Sequence, residues 1–141
     1  MNIIEPLPLY FIAYFQMLAF KTGNCLYSKY STLILLEFII GNSMWKRFFY
    51  NLGIRSGRPK YQDKFVKGMP STHMSNMVFS TLLVLDTYPD RRLTSILLAG
   101  CVLVGYQRYS TRMHNLQQII VGALIGMLEF YILIYMNKKS V

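Results

Sequence analysis

Acidic side chains are scarce in this chain: six Asp and Glu stand against 15 Lys and Arg in 141 residues. No group of carboxylates falls together as a magnesium pair requires, so metal-free chemistry without a cofactor is expected. Cysteine is as sparse, with Cys25 near a loop and Cys101 inside an apolar block. Neither has zinc-ligand spacing or an evident mate, and both are expected to be structural thiols. There is no internal repeat, low-complexity tract or linker long enough to separate domains, which leaves one domain over 1–141. The first 20 residues lack a basic n-region and a small-residue cleavage site, so they are expected to form a mature helix or signal anchor. Histidine is equally scarce, with only His73 and His114.

Apolar and aromatic residues, in contrast, make up 53% of the chain, with a mean hydropathy of +0.30. They cluster in five blocks, at about 6–20, 31–50, 73–89, 93–107 and 115–136. Several blocks are shorter than the roughly 20 residues that cross a hydrocarbon core, so Tyr, Trp, Ser and basic residues must complete them at the interface. Because backbone polar groups inside a bilayer need internal partners, each block is predicted to be helical. The expected fold is an all-α polytopic membrane helix bundle with about five transmembrane helices. A net charge of +9 would suggest nucleic acid in a soluble protein. In this setting it suggests anionic membrane lipids or a phosphorylated substrate, and no nucleic acid.

Both histidines open predicted helices, and each sits beside residues suited to phosphate. One is in Gly68-Met69-Pro70-Ser71-Thr72-His73, the other in Arg108-x5-His114-x3-Gln118. Transfer of a phosphoryl group needs its negative oxygens neutralised, a nucleophile aligned with phosphorus and a proton for the departing oxygen. Arg58 and Arg108 offer planar, permanently charged forks matched to phosphate. Ser71, Thr72 and the backbone N–H groups at the start of the third block offer further donors at the positive end of a helix dipole. One imidazole can attack phosphorus while the other protonates the leaving group. Gln118 lies one turn after His114, where its amide oxygen can accept the Nδ1 proton and leave Nε2 free.

Counting crossings places the two motifs on one side. The loops at about 51–72 and 108–114 are separated by two predicted spans, so both face one compartment. That face carries nine basic residues, against Lys21, Lys29, Arg91, Arg92, Lys138 and Lys139 on the other. The positive-inside rule alone would make the motif face cytosolic. Several of those nine are accounted for as phosphate ligands instead. The tail Lys138-Lys139-Ser140-Val141 has the form of a cytosolic dilysine retrieval signal, which would put the motif face in the lumen of the endoplasmic reticulum; a basic tail holding anionic lipid explains it equally well.

Arg58-Pro59, then Pro70-Ser71-Thr72-His73, then Arg108-x5-His114-x3-Gln118, resemble the three ordered motifs of the type 2 phosphatidic acid phosphatase superfamily. The Gly68-Met69-Pro70-Ser71-x-His73 and His114-x3-Gln118-x3-Gly122 forms look most like its dolichyl diphosphate branch. The resemblance covers about 51–125. It implies that His114 forms a phosphohistidine, that His73 protonates the leaving phosphate, and that Arg58, Arg108, Ser71 and Thr72 hold the transferred group. It further implies a polyprenyl or dolichyl diphosphate substrate, dephosphorylated in the endoplasmic reticulum membrane so that the lipid carrier of protein N-glycosylation is recycled. Two positions depart from the superfamily pattern: Asn51 stands where a lysine opens the first motif, and Gln118 where Asp is usual. Arg55 or Lys60 are alternative sources of that charge, and the dolichyl branch shares the Gln.

Other residues admit plainer roles. Lys64 and Lys67 suit solvent or headgroups. Glu37 and Glu129, inside apolar blocks, are costly there and suit either function or interhelical hydrogen bonding. The Met, Phe and Tyr stripes suit packing and interface anchoring. Phosphatidic acid is an alternative substrate, and a catalytically inactive protein that binds anionic lipid through its basic face is the alternative of a different class.

Overall fold

A computed structural model describes residues 7–54, 57, 59 and 68–139, and every element among them is helical. Six α-helices follow in order: α1 (Leu7–Thr22), α2 (Cys25–Leu36), α3 (Asn42–Asn51), α4 (Thr72–Thr87), α5 (Arg91–Ser110) and α6 (Leu116–Lys139). A single π turn, Glu37–Gly41, joins α2 to α3 without a break, so the predicted second block is one long rod with a local widening. It starts at Cys25 rather than residue 31. Gly23 explains the early start: at φ +66 it ends α1 in the left-handed conformation that glycine adopts at least cost, and α2 begins two residues later.

Local chemistry sets the other boundaries. Pro89 follows α4, and Asp90 then caps α5, its side chain accepting from Leu93 N at 2.8 Å. Between α5 and α6 the chain turns within Thr111–Asn115, with Arg112 at φ 54. Asn51 ends α3 and is exposed.

The most extensive contact joins α4 to α6, and α4 also touches α1, α2 and α5. Two glycines on α6 permit that approach. A methyl at Gly122 would lie 2.6 Å from the Ser71 carbonyl, and one at Gly126 would overlap the Ser75 carbonyl and sit 3.1 Å from Phe79 N. Spaced four apart, these glycines make the small-residue seam by which helices in lipid come together. In the apolar core, Phe79, Leu83 and Val84 of α4 meet Phe15, Tyr30 and Ile34 from α1 and α2, with Phe130 and Leu133 of α6 packed against them. A smaller cluster, Met77, Cys101 and Val104, joins α4 to α5. Cys25 is exposed and Cys101 buried, and both are free thiols.

The outer faces carry many large apolar side chains. Ile96, Val102 and Leu103 on α5, and Leu124 and Ile132 on α6, are largely exposed, a distribution that suits hydrocarbon rather than water. Over Leu116–Met136, α6 is the one helix among the described residues with both the length and the apolarity to cross a membrane. The expectation of five spans meets a length limit in α1 and α4. Each has 16 residues, about 24 Å at 1.5 Å per residue, short of a core of about 30 Å.

Candidate active site

The start of α6 is held by a reciprocal pair of hydrogen bonds. Asn115 Oδ1 accepts from Gln118 N at 2.9 Å, and Asn115 N donates to Gln118 Oε1 at 3.1 Å. This is a capping box with amide side chains at both positions. The same Oε1 lies 3.1 Å from His114 Nδ1, while Gln118 Nε2 donates to Gly57 O at 3.0 Å. These contacts decide the orientation of the amide, because a carbonyl can only accept and a backbone N–H can only donate. With Oε1 facing His114, Nδ1 carries a proton, and in the neutral ring the lone pair is on Nε2. Gln118 is fully buried and His114 is 3% exposed, so water does not compete for this contact.

Arg108 joins the same centre through its backbone. Its carbonyl accepts from both Met113 N and His114 N at 3.1 Å, which closes the turn after α5 and hangs His114 directly beneath the arginine's own residue. The side chain is buried, at 2% exposure. Desolvation there makes a guanidinium a stronger partner for an anion than it would be in water.

Ser71 arrives from α4: its N–H donates to Gln118 O at 3.0 Å. It occupies the N-cap position of α4 with extended backbone, yet its hydroxyl makes no capping bond. Ser71 Oγ and Thr72 Oγ1 are both buried without a hydrogen-bond partner among the described residues. Buried hydroxyls are ordinarily satisfied. Two such donors at a helix N-terminus are the equipment an oxyanion would use. His73 follows in the first turn of α4, half-buried. A pocket of about 490 Å³ lies against His114, with Asn115, Arg112, Ser110, Tyr109 and Pro59 as its other walls.

Ser71, Arg108, His114 and Gln118 are thus linked by direct contacts or through shared backbone, and Thr72 and His73 sit beside them at the start of α4. Arg58, Arg55, Lys60, Lys64 and Lys67 lie outside the described residues. Two contributors were missed in the sequence. Asn115 is one, and an N-cap type of residue three before Gln118 was the available signal. The other is Gly126, which with Gly122 forms a small-x3-small pair. Glu37 and Glu129 belong to a separate polar cluster. Glu37 accepts from Asn42 Nδ2 at 3.0 Å, Ser75 Oγ at 3.0 Å and Asn76 Nδ2, while Glu129 accepts from Trp45 Nε1 at 2.7 Å.

The site therefore gathers a buried imidazole of fixed tautomer, a buried arginine and two helix-start hydroxyls, in an all-helical bundle with apolar side chains on its exterior. Residues 47–141 match the PAP2 superfamily, more than half of the chain, and the protein belongs to that superfamily. Its members are phosphatases that act on lipid phosphates in membranes. No curated protein and no solved structure matches the chain.

Proposed function

We propose that this protein is a multi-pass lipid diphosphatase of the endoplasmic reticulum membrane that converts dolichyl diphosphate to dolichyl phosphate and phosphate. The observation that carries the reading is the Gln118 amide, anchored at both ends, which puts the proton of the neutral His114 ring on Nδ1 and so assigns the lone pair to Nε2. In this mechanism Nε2 attacks the terminal phosphorus and the bridging P–O bond breaks. The bridging oxygen departs with the lipid phosphate and takes a proton from His73. Water then attacks the phosphohistidine, which releases phosphate and restores the imidazole. Arg58, Arg108, Ser71 and Thr72 bind the oxygens of the transferred group. A neutral Gln stabilises an imidazolium less than a carboxylate does. That suits an anhydride, whose leaving phosphate asks less of acid catalysis than an alkoxide.

Phosphate release from dolichyl diphosphate by the purified chain in detergent, with chelator present, tests the reading. Release by the native chain and its loss in folded His114→Ala are expected. Release from another polyprenyl diphosphate or from phosphatidic acid alone would change the substrate and keep the chemistry. Asn51 in the place of a motif lysine, exposed at the end of α3, favours one other reading, an inactive binder of anionic lipid. Lipid binding without turnover of any of these substrates would establish it. A glycosylation acceptor inserted at 60–67 reports the side of the motif loops, and its modification is the outcome a lumenal site requires.

A further inference from the structure

We infer that Arg112 selects diphosphates over monophosphates by holding the phosphate that is not transferred, an inference that rests on the phosphotransfer reading of His114. Three observations converge on it. Arg112 and His114 line the same pocket of about 490 Å³, so a group bound at one is adjacent to the other. Its backbone sits at φ 54, the only positive φ of a non-glycine residue among those described. The turn is closed by Arg112 N to Tyr109 O at 3.0 Å and by Met113 N to Arg108 O at 3.1 Å. Glycine or asparagine would fill such a position at less cost, so an arginine here is held against its backbone preference, a pattern that concentrates at functional sites. Finally, the two arginines of this turn differ in environment. Arg108 is buried, as suits the group being transferred, whereas Arg112 is exposed, as suits a second phosphate reaching in from the pocket mouth.

The chemistry of a diphosphate supplies the reason for a second fork. When His114 Nε2 bonds to the terminal phosphorus, the bridging oxygen leaves with its electron pair on the lipid-bound phosphate. A guanidinium on that phosphate neutralises the growing charge without exchanging a proton, and its planar donors match two oxygens at once. A monophosphate has no group to place there.

Calorimetric binding of inorganic pyrophosphate and inorganic phosphate to the purified full chain in detergent tests this, with Arg112→Gln, Arg112→Gly and Arg112→Lys compared. The native chain is expected to prefer pyrophosphate. The Gln and Gly variants should bind pyrophosphate at least about tenfold more weakly, bind phosphate within about twofold of native, and Lys should recover part of the difference. Gly relieves the left-handed backbone, so a loss in that variant is not a loss of fold. KM for dolichyl diphosphate should rise in parallel, with that for a lipid monophosphate unchanged. An undiminished pyrophosphate preference in Arg112→Gly, or no preference in the native chain, overturns the inference. Failure of the native chain to turn over any lipid phosphate would sink the phosphotransfer reading, and the anion binding comparison would still decide the role of Arg112.

Discussion

Replacing Gly122 by alanine should damage the site more than the fold. The added methyl would lie 2.6 Å from Ser71 O and 3.3 Å from Ser71 Cβ and Met74 Cβ. The carbonyl contact must lengthen by about 0.4 Å to leave the range that real Cβ atoms avoid, and by about 0.8 Å to become ordinary. Backbone on both sides means that no flexible side-chain end can absorb the shift, so α4 and α6 must separate. Overpacking of this size costs about 1–3 kcal/mol. The separation falls on the residue whose N–H binds Gln118 O at 3.0 Å, so Ser71 shifts relative to α6 by about 0.4–0.8 Å. A misplacement of about 1 Å can cost roughly a hundredfold in rate. The assay is phosphate release alongside thermal unfolding in detergent, with Gly105→Ala as the control. There the methyl meets only Ile119 Cγ2 at 3.5 Å and Met74 Sδ at 3.8 Å, ordinary contacts. A drop of about ten- to a hundredfold in kcat/KM, with the variant folded at room temperature, is expected. Full activity in Gly122→Ala would refute the claim that this glycine sets the distance between the two halves of the site.

Further changes probe other parts of the structure. Gln118→Glu keeps an oxygen beside His114 Nδ1 but loses the donor to Gly57 O and places a carboxylate next to the ring. Stabilising the imidazolium withdraws the nucleophile as pH falls, so the acid limb of the rate profile should move to higher pH; an unchanged limb counts against Gln118 as the orienting group. Glu37→Leu removes the acceptor shared by Asn42, Ser75 and Asn76. Leaving buried donors unmatched costs about 1–3 kcal/mol each, so the midpoint of thermal unfolding should fall sharply, with Glu37→Gln losing less. Asp90→Ala deletes the α5 cap and should cost about 1 kcal/mol. Activity should be kept, because Asp90 and Arg108 lie at opposite ends of a 20-residue helix.

How far the sequence reached can be followed through individual residues. Five apolar blocks led to the helical elements because a hydrophobic run of that length has few other ways to satisfy its backbone. Their limits were less legible: the start of α2 depended on Gly23 in a left-handed turn, and the π turn depends on Asn42, whose backbone and side-chain N–H groups both reach Glu37 O. The Glu37 cluster could be flagged as costly, but two of its donors, Ser75 and Asn76, come from α4, 38 and 39 positions away.

The sequence by itself determined the all-helical class, the order of the motifs and the spacing that puts Gln118 one turn from His114. These are local properties, set by hydrophobic runs and by the pitch of a helix. Only the tertiary structure decided what holds the other end of the Gln118 amide, because the acceptor of its Nε2 is Gly57 O, 61 positions away. It alone decided, too, that Ser71 reaches the same centre, because that approach requires the Gly122 and Gly126 surface of α6 to meet the backbone of α4 with no side chain between them.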